Sequence, residues 1–326
     1  MNLSGATVAV TGAGGFIGGR VAHVLATRAG ARVLGIDVDA RAGAALERDG
    51  GVLRTADLRD PAATRAALAG ADAVVHTAAR VAETGPMEEF VAINVRGTRN
   101  VLDAAGDVPV VHVSSVAVWG YDFAADLHED AHPRRTGLPY IDTKAASDRL
   151  AARRGATVVR PGDVYGPRSG PWTVRPLDLI RRRLLVLPGG GAGLMTPIYV
   201  DDLVDGIVAA LGSSRARGAT MTLWDGRPVT AAEFFGHYAR MLGRSAVPTA
   251  PAPIVTGAVH LLAALARARG REPHHGPPGV TYVSRRAAFP NAIARERLDW
   301  VPAVDLDEGM RRTEVWLRAE GLLPAP

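Results

Sequence analysis

Cysteine is absent from the 326 residues, and lysine nearly so. Without a thiol the chain forms no disulfide, no thiolate–metal site and no cysteine nucleophile, a composition that fits a reducing compartment. The nine histidines show no HxxxH or HxH pair on a predicted helix or strand, so no metal site is expected. His274-His275 lies among prolines and glycines and reads as a surface loop. No apolar run is long enough to cross a bilayer. The longest, Ile254 to Ala266, contains His260 and reads as a buried or amphipathic helix. Strand-like residues begin at Thr7, which leaves no room for a secretory signal before the fold, and a cytoplasmic protein is expected. No period suggesting a repeat architecture is present.

What is there in quantity is arginine. The formal charge is +5, but the arginines are scattered singly rather than lying on one stripe, so nucleic acid is not an expected partner. The one dense run, Arg181–Arg183, covers several faces of a helix turn; it reads as a solvated face, with an anionic substrate contact as the sharper alternative. Of the 38 basic residues one is a lysine, Lys144. Arginine is planar and always charged, whereas a lysine is a compact ammonium whose pKa its surroundings can tune. Nearly half the chain is hydrophobic, as in ordinary globular α/β proteins.

The first half alternates short β-branched runs with helical stretches, the pattern of a doubly wound parallel sheet covered by helices on both faces. Strands are expected at Thr7–Thr11, Arg32–Ile36, Ala73–His76, Val110–Ser114 and Thr157–Arg160. Helices are expected at Gly15–Ala29, Pro61–Leu68, Met87–Ala105 and Tyr140–Arg153. After Arg160 the pattern loosens through Pro- and Gly-rich loops. A strand and helix return at Ile198–Leu211, then Thr220–Trp224, and a last helix near Asp307–Glu320. Residues 1–165 therefore read as a dinucleotide-binding domain that elements from 197–226 rejoin, and 166–326 mainly as a smaller, interleaved substrate-binding region.

Gly12, Gly15 and Gly18 stand three apart between the first strand and the first helix. Such glycines permit a tight turn and close approach of a pyrophosphate to the helix N-terminus, where Phe16 and Ile17 offer backbone N–H groups. Asp37 ends the second strand about twenty residues on, where a carboxylate accepts from adenosine ribose hydroxyls and repels a 2′-phosphate. NAD is expected over NADP, although Arg41 stands nearby. Asp57-Leu58 could meet the adenine, with a helix N-cap as the plainer role for Asp57.

Tyr140 and Lys144 are four apart at the start of a helix, so both project from one face. An ammonium beside a phenol favours the phenolate and brings a group that titrates near 10 toward working pH. Ser115, at the end of a neighbouring strand, could orient a substrate oxygen toward Tyr140. Asp201-Asp202 opens a helix and reads as a cap, and Asp163 and Arg168 flank the loop leaving the sheet, where they could touch substrate.

With these residues in place the chain resembles the extended short-chain dehydrogenase/reductase family, also called the NAD-dependent epimerase/dehydratase family. The matching pieces are TGAGGFIG at 11–18, DL at 57–58, HTAA at 76–79, NVRGTRNVLDAA at 94–105, SSVAVWG at 114–120, YIDTK at 140–144, RPGDVYGP at 160–167 and YVDDLVDGI at 199–207. They run in the family's order over most of the chain. The resemblance implies Ser115, Tyr140 and Lys144 as a catalytic triad, with Asn94 supporting the lysine and its proton relay. It further implies that Lys144 holds the nicotinamide ribose and that His76, Ala78 and Ala79 line the cofactor groove. Two departures stand out. Trp119 replaces the usual tyrosine, adding apolar surface beside the site. Val116-Ala117 follow Ser115 where sugar-nucleotide 4,6-dehydratases carry an Asp-Glu pair, which argues against that elimination. Residues 193–199 and Tyr282-Val283-Ser284 look more like hydroxysteroid-dehydrogenase-like reductases. The expected protein is an NAD-dependent enzyme acting on a small secondary alcohol or ketone, as a homodimer. An NDP-sugar epimerase with tightly held NAD is the alternative, and a non-catalytic NAD sensor a remote third.

Overall fold

A computed structural model of the chain describes residues 1–82, 84–123, 127–270 and 277–324, so His274-His275 lies outside the described residues. Its centre is a seven-stranded sheet built from β1 (Thr7–Thr11), β2 (Arg32–Asp37), β3 (Val52–Thr55), β4 (Ala73–His76), β5 (Val110–Val113), β6 (Thr157–Pro161) and the late strand Thr220–Leu223. Across the sheet the order is Thr220–Leu223, β6, β5, β4, β1, β2, β3, and every pairing is parallel. β1 and β4 are neighbours although β2 and β3 lie between them in sequence, which is the switch point of a Rossmann-like sheet. Near-continuous apolar runs such as Val8–Val10 and Ala73–Val75 suit strands buried on both faces.

The covering helices begin with α1 (Phe16–Thr27), α2 (Gly43–Arg48) and α3 (Pro61–Leu68). Asp60 caps α3 by accepting from the amides of Ala62 and Ala63, and Pro61 opens it. The cap is therefore Asp60 rather than Asp57. Next, α4 (Met87–Phe90), a π-helical stretch Val91–Gly97 and α5 (Thr98–Ala105) run on without a break. They are followed by α6 (Pro139–Arg153), a short strand β7 (Asp163–Tyr165), α7 (Arg175–Arg181) and α8 (Val200–Gly212). β7 pairs with Pro197–Tyr199 in a small parallel ladder.

Asp201 and Asp202 do not cap α8. Asp201 receives Arg20 of α1 through two bonds (2.6 and 3.0 Å), and Asp202 accepts from the amides of Ala303 and Val304. The two carboxylates tie α8 to elements on either side of it. One large apolar core runs from Leu3 through the sheet and α8 to Leu323, so the two halves of the chain share it.

The apolar run near residue 260 forms the helix Ala252–Ala268, but only Val255 and Ala263 of it are buried. Leu261 and Leu262 are 61% and 65% exposed, so this helix lies on the surface rather than in the core. Arg181–Arg183 sits in solvent, with Arg182 paired to Asp178 one turn earlier. Among the described residues no helix is long and apolar enough to cross a membrane, and no cluster of metal-ligating side chains exists.

Candidate active site

The carboxyl ends of the central strands bring together the glycine turn, Asp37, the Thr77–Ala79 segment and Ser115. Gly12 has φ of 72°, and a Cβ there would stand 2.9 Å from the Cα of Ala78. A Cβ on Gly18 would fall 2.1 Å from the carbonyl oxygen of Gly12. These two glycines are required by backbone packing alone. Gly15 differs. It is exposed at the tip of the turn, where a Cβ would meet only the Gly12 carbonyl at 3.1 Å. Phe16 and Ile17 follow it at the open end of α1, whose first turn carries no acidic residue and no side-chain cap. The exposed N-terminus thus offers N–H donors and partial positive charge with room above them, and the turn fits the pyrophosphate of a dinucleotide.

Asp37 is the group beneath that turn. Its carboxylate accepts from the amide of Gly14 (2.9 Å) and from that of Asp39 (3.0 Å). Arg41, the residue that could have offset it, instead pairs with Asp39 at 2.7 Å and points into solvent. Asp57 is engaged by Arg59, which holds its carboxyl below the usual range, and Leu58 is buried with its carbonyl receiving Asn100 at 2.8 Å. Ala78 and Ala79 lie half-buried along the groove next to Gly12. His76 sits behind the groove rather than in it. It is 1% exposed, bridges the hydroxyls of Thr11 (2.7 Å) and Thr98 (2.9 Å), and burial pushes its pKa down to about 3. The register His76↔His112 brings a second imidazole against it at 5.2 Å. Neither ring nitrogen of His112 has a partner among the described residues.

On α6, Tyr140 and Lys144 face the end of β5. The Tyr140 phenol and the Ser115 hydroxyl are hydrogen-bonded, and Ser115 also accepts from the amide of Ala117 at 3.1 Å. Lys144 is buried, with its Nζ donating to the carbonyl of Val113 at 2.7 Å. Burial pulls its pKa from 10.5 down to about 8, while Asp148 one turn on pulls it up. The expected lowering of the phenol by this ammonium is not what the geometry produces. Enclosure raises the Tyr140 pKa, and the Ser115 bond is what opposes it.

Asn94 lies in the π-helical stretch, a kind of wide turn often found at functional sites. Its carboxamide accepts from the Arg80 amide (2.7 Å) and donates to the Arg80 carbonyl (3.2 Å) and to Thr143 Oγ1 (3.0 Å). It therefore fixes the residue beside Lys144, not Lys144 itself. Asp148, which the motifs do not single out, continues the Tyr140–Lys144 face by another four residues. It accepts from Ser114 Oγ (2.6 Å) and takes Arg160 of β6 through two bonds (2.9 and 2.8 Å), all buried. The spacing of four is the signal that could have found it.

Trp119 is fully buried, its indole N–H donating to Ala131 O at 2.9 Å and its ring under the Arg160 guanidinium. It is core, and presents no surface to a substrate. Asp163 is buried too, holding Arg285 (2.7 Å), the Thr196 amide (2.7 Å) and the Tyr282 hydroxyl. Arg168, by contrast, reaches the glycine turn, where its Nη2 donates to Gly14 O at 3.1 Å.

Residues 8–221 match the NAD dependent epimerase/dehydratase family. The chain belongs to that family. Family relatives include a 2-alkyl-3-oxoalkanoate reductase from Stenotrophomonas maltophilia, 27% identical over 94% of this chain and 97% of its own length. A sterol demethylase protein B from Methylococcus capsulatus is 35% identical over 59% of this chain and 60% of its own. Among solved structures, the epimerase Mth375 of Methanothermobacter thermautotrophicus superposes with a TM-score of 0.78 at 22% identity, covering 98% of this chain and 94% of that one. That superposition shows a shared fold, while the three names span different chemistry.

Proposed function

We propose that this protein is an NAD-dependent oxidoreductase that transfers hydride between nicotinamide and a secondary alcohol or ketone, with Tyr140 as general acid and base. The observation that carries the reading is the Tyr140–Ser115 hydrogen bond beside buried Lys144, at the same sheet edge as the glycine turn. A bound nicotinamide supplies hydride in reduction and takes it up in oxidation. Ser115 holds the substrate oxygen toward Tyr140. In reduction the phenol gives its proton to that oxygen; in oxidation it takes the proton back. Lys144 spends one N–H on Val113 O, leaving two donors for the nicotinamide ribose hydroxyls. Asn94 acts one step away, holding Thr143 and the Arg80 backbone so that the turn carrying Lys144 cannot shift.

Gly12, Gly15, Phe16, Ile17 and Gly18 receive the pyrophosphate, Ala78 and Ala79 border the dinucleotide, and Asp57-Leu58 approach the adenine. Asp37, with Arg41 turned away to Asp39, favours NAD over NADP. The near-full-length likeness to a reductase supports net redox chemistry over sugar epimerisation. The same reading takes the protein as a cytoplasmic homodimer, and light scattering on the purified protein checks the assembly.

The test is to look for an NAD chromophore that survives dialysis, then to supply NADH with panels of ketones and NDP-sugars. Ketone-dependent loss of the NADH absorbance is expected. Retained NAD with redox-neutral interconversion of a sugar nucleotide would make the protein an epimerase instead.

A further inference from the structure

Two described residues other than glycine hold φ in the left-handed region, Arg168 at 69° and Arg183 at 61°. A side chain there is strained, and such strain persists only where the surroundings hold it. At Arg168 they do. The next residue, Ser169, is buried, donates its hydroxyl to Val164 O (2.8 Å) and accepts from the Trp172 amide (3.3 Å), while its own amide reaches back to Gly166 O (3.1 Å). This clamp throws the Arg168 side chain across the open end of α1. Its Nη2 bonds Gly14 O at 3.1 Å, and its Nη1 stands 3.4 Å from the position a Cβ on Gly19 would take. Gly14 is thus gripped from two sides, its amide by Asp37 and its carbonyl by Arg168. Among the described residues no carboxylate pairs with this guanidinium, which remains exposed to solvent.

We propose that Arg168 is a latch over the pyrophosphate of the bound dinucleotide, closing the cofactor site with a residue from the second half of the chain. The inference rests on the cofactor reading proposed above. A neutral carbonyl is a weak partner for a guanidinium, whereas a phosphate oxygen gives a shorter, charge-assisted bond and matches the planar fork. Lys144 is engaged elsewhere, its buried Nζ donating to Val113 O. Arg168 adds a full positive charge to what the α1 N-terminus offers. The loop that carries it continues into Trp172, whose ring lies 5.3 Å from that of Tyr282.

The experiment compares wild type, Arg168→Gly and Arg168→Gln by NADH fluorescence titration, calorimetric titration of ADP-ribose and adenosine, and thermal melting without ligand. Glycine accepts the left-handed backbone, so Arg168→Gly keeps or raises the ligand-free Tm. Both variants weaken NADH and ADP-ribose by about tenfold or more, as loss of a charged hydrogen bond should, and leave adenosine, which has no phosphate, unchanged. The salt dependence of NADH binding becomes shallower in both. Unchanged NADH and ADP-ribose affinity in the variants overturns the latch alone. So does a loss confined to Arg168→Gly, which would trace the effect to the loop backbone. Failure of the wild type to bind NADH and ADP-ribose overturns the cofactor reading and the latch with it.

Discussion

Two buried ion pairs organise the molecule, one between near neighbours in the chain and one across it. Asp148–Arg160 backs α6, the helix of Tyr140 and Lys144, and Asp163–Arg285 ties β7 to a residue late in the chain; their carboxylate–guanidinium distances are 2.8 and 2.7 Å. Both guanidiniums lie on aromatic faces, Arg160 over Trp119 at 4.6 Å and Arg285 over Tyr282 at 4.0 Å. Phe289 touches both groups, stacking on Trp119 at 5.8 Å with Arg285 5.1 Å above its ring. The pairs differ in how their members meet. Asp148 and Arg160 belong to a helix and the strand that follows it, joined by one short connection, so the local α–β unit brings them together. Asp163 and Arg285 stand 122 residues apart and meet only through the tertiary fold. Burial of either pair is costly, and each is tolerable only because further donors fill its carboxylate. In the first pair the extra donor is Ser114, next in the chain to Ser115; in the second they are Thr196 and Tyr282.

This contrast predicts that the first region governs turnover and the second governs substrate binding. The largest effect is expected for Tyr140→Phe, which should lose roughly 10²–10⁴-fold in turnover, the contribution of a placed acid–base group. Its melting temperature should stay close to wild type. Lys144→Arg should fall comparably, because a planar guanidinium cannot replace the compact ammonium at Val113 O.

Asp148→Ala and Arg285→Ala are next, each costing about 3–5 kcal/mol in urea denaturation, since each strands a buried charge. Their kinetics should separate. Asp148→Ala removes the group that raises the Lys144 pKa and lowers kcat, while Arg285→Ala raises KM with a smaller change in kcat. Equal kcat losses in the two variants would erase the proposed division.

The effect of pH sharpens the comparison further. Lys144, held down to about 8 by burial, loses its ammonium as pH rises through that value. NADH affinity should decline above it, approaching about tenfold per pH unit as one proton is lost, and in Asp148→Asn the decline should begin at lower pH. Stability moves the other way. From about 8 to 10.5 the unfolded chain still holds the proton that the folded one has released, so unfolding free energy from this group rises with pH.

The smallest predicted change lies in the paired histidines. His112 buries two unpartnered nitrogens, so His112→Leu should stabilise the protein by about 1 kcal/mol at neutral pH. His76, neutral when folded with its pKa at about 3 against 6.5 unfolded, makes the wild type lose stability as pH falls below 6.5. His112→Leu should lessen that acid sensitivity, because His112 is also held neutral by burial. Urea titrations at pH 7 and pH 5 check both.

Much of the first half of the chain is legible in its residues alone. Strands β1 and β4 and helix α3 fall where periodicity and turn residues place them, because each is set by residues within a few positions of one another. The alternation of strand and helix is enough to imply a parallel sheet. Side-chain roles are less legible wherever the partner lies far along the chain or competes with a near neighbour. Asp60, not Asp57, caps α3; Asp201-Asp202 are ties to Arg20 and the Ala303–Val304 backbone rather than caps; Trp119 is core rather than pocket surface.

By itself, the sequence determined what short-range geometry can carry. The glycine turn before α1, the strand alternation and the common face of Tyr140, Lys144 and Asp148 all follow from the periods of helix and strand. Only the tertiary structure decided which distant groups complete them. Sheet order set Ser115 beside Tyr140, strand register set His112 against His76, and a clamped loop carried Arg168 back across the chain to Gly14. The physical reason is that a helix or strand constrains its own neighbours through backbone bonds a few residues long. Contacts between elements depend on how all their buried faces pack at once, and no local stretch of residues specifies that.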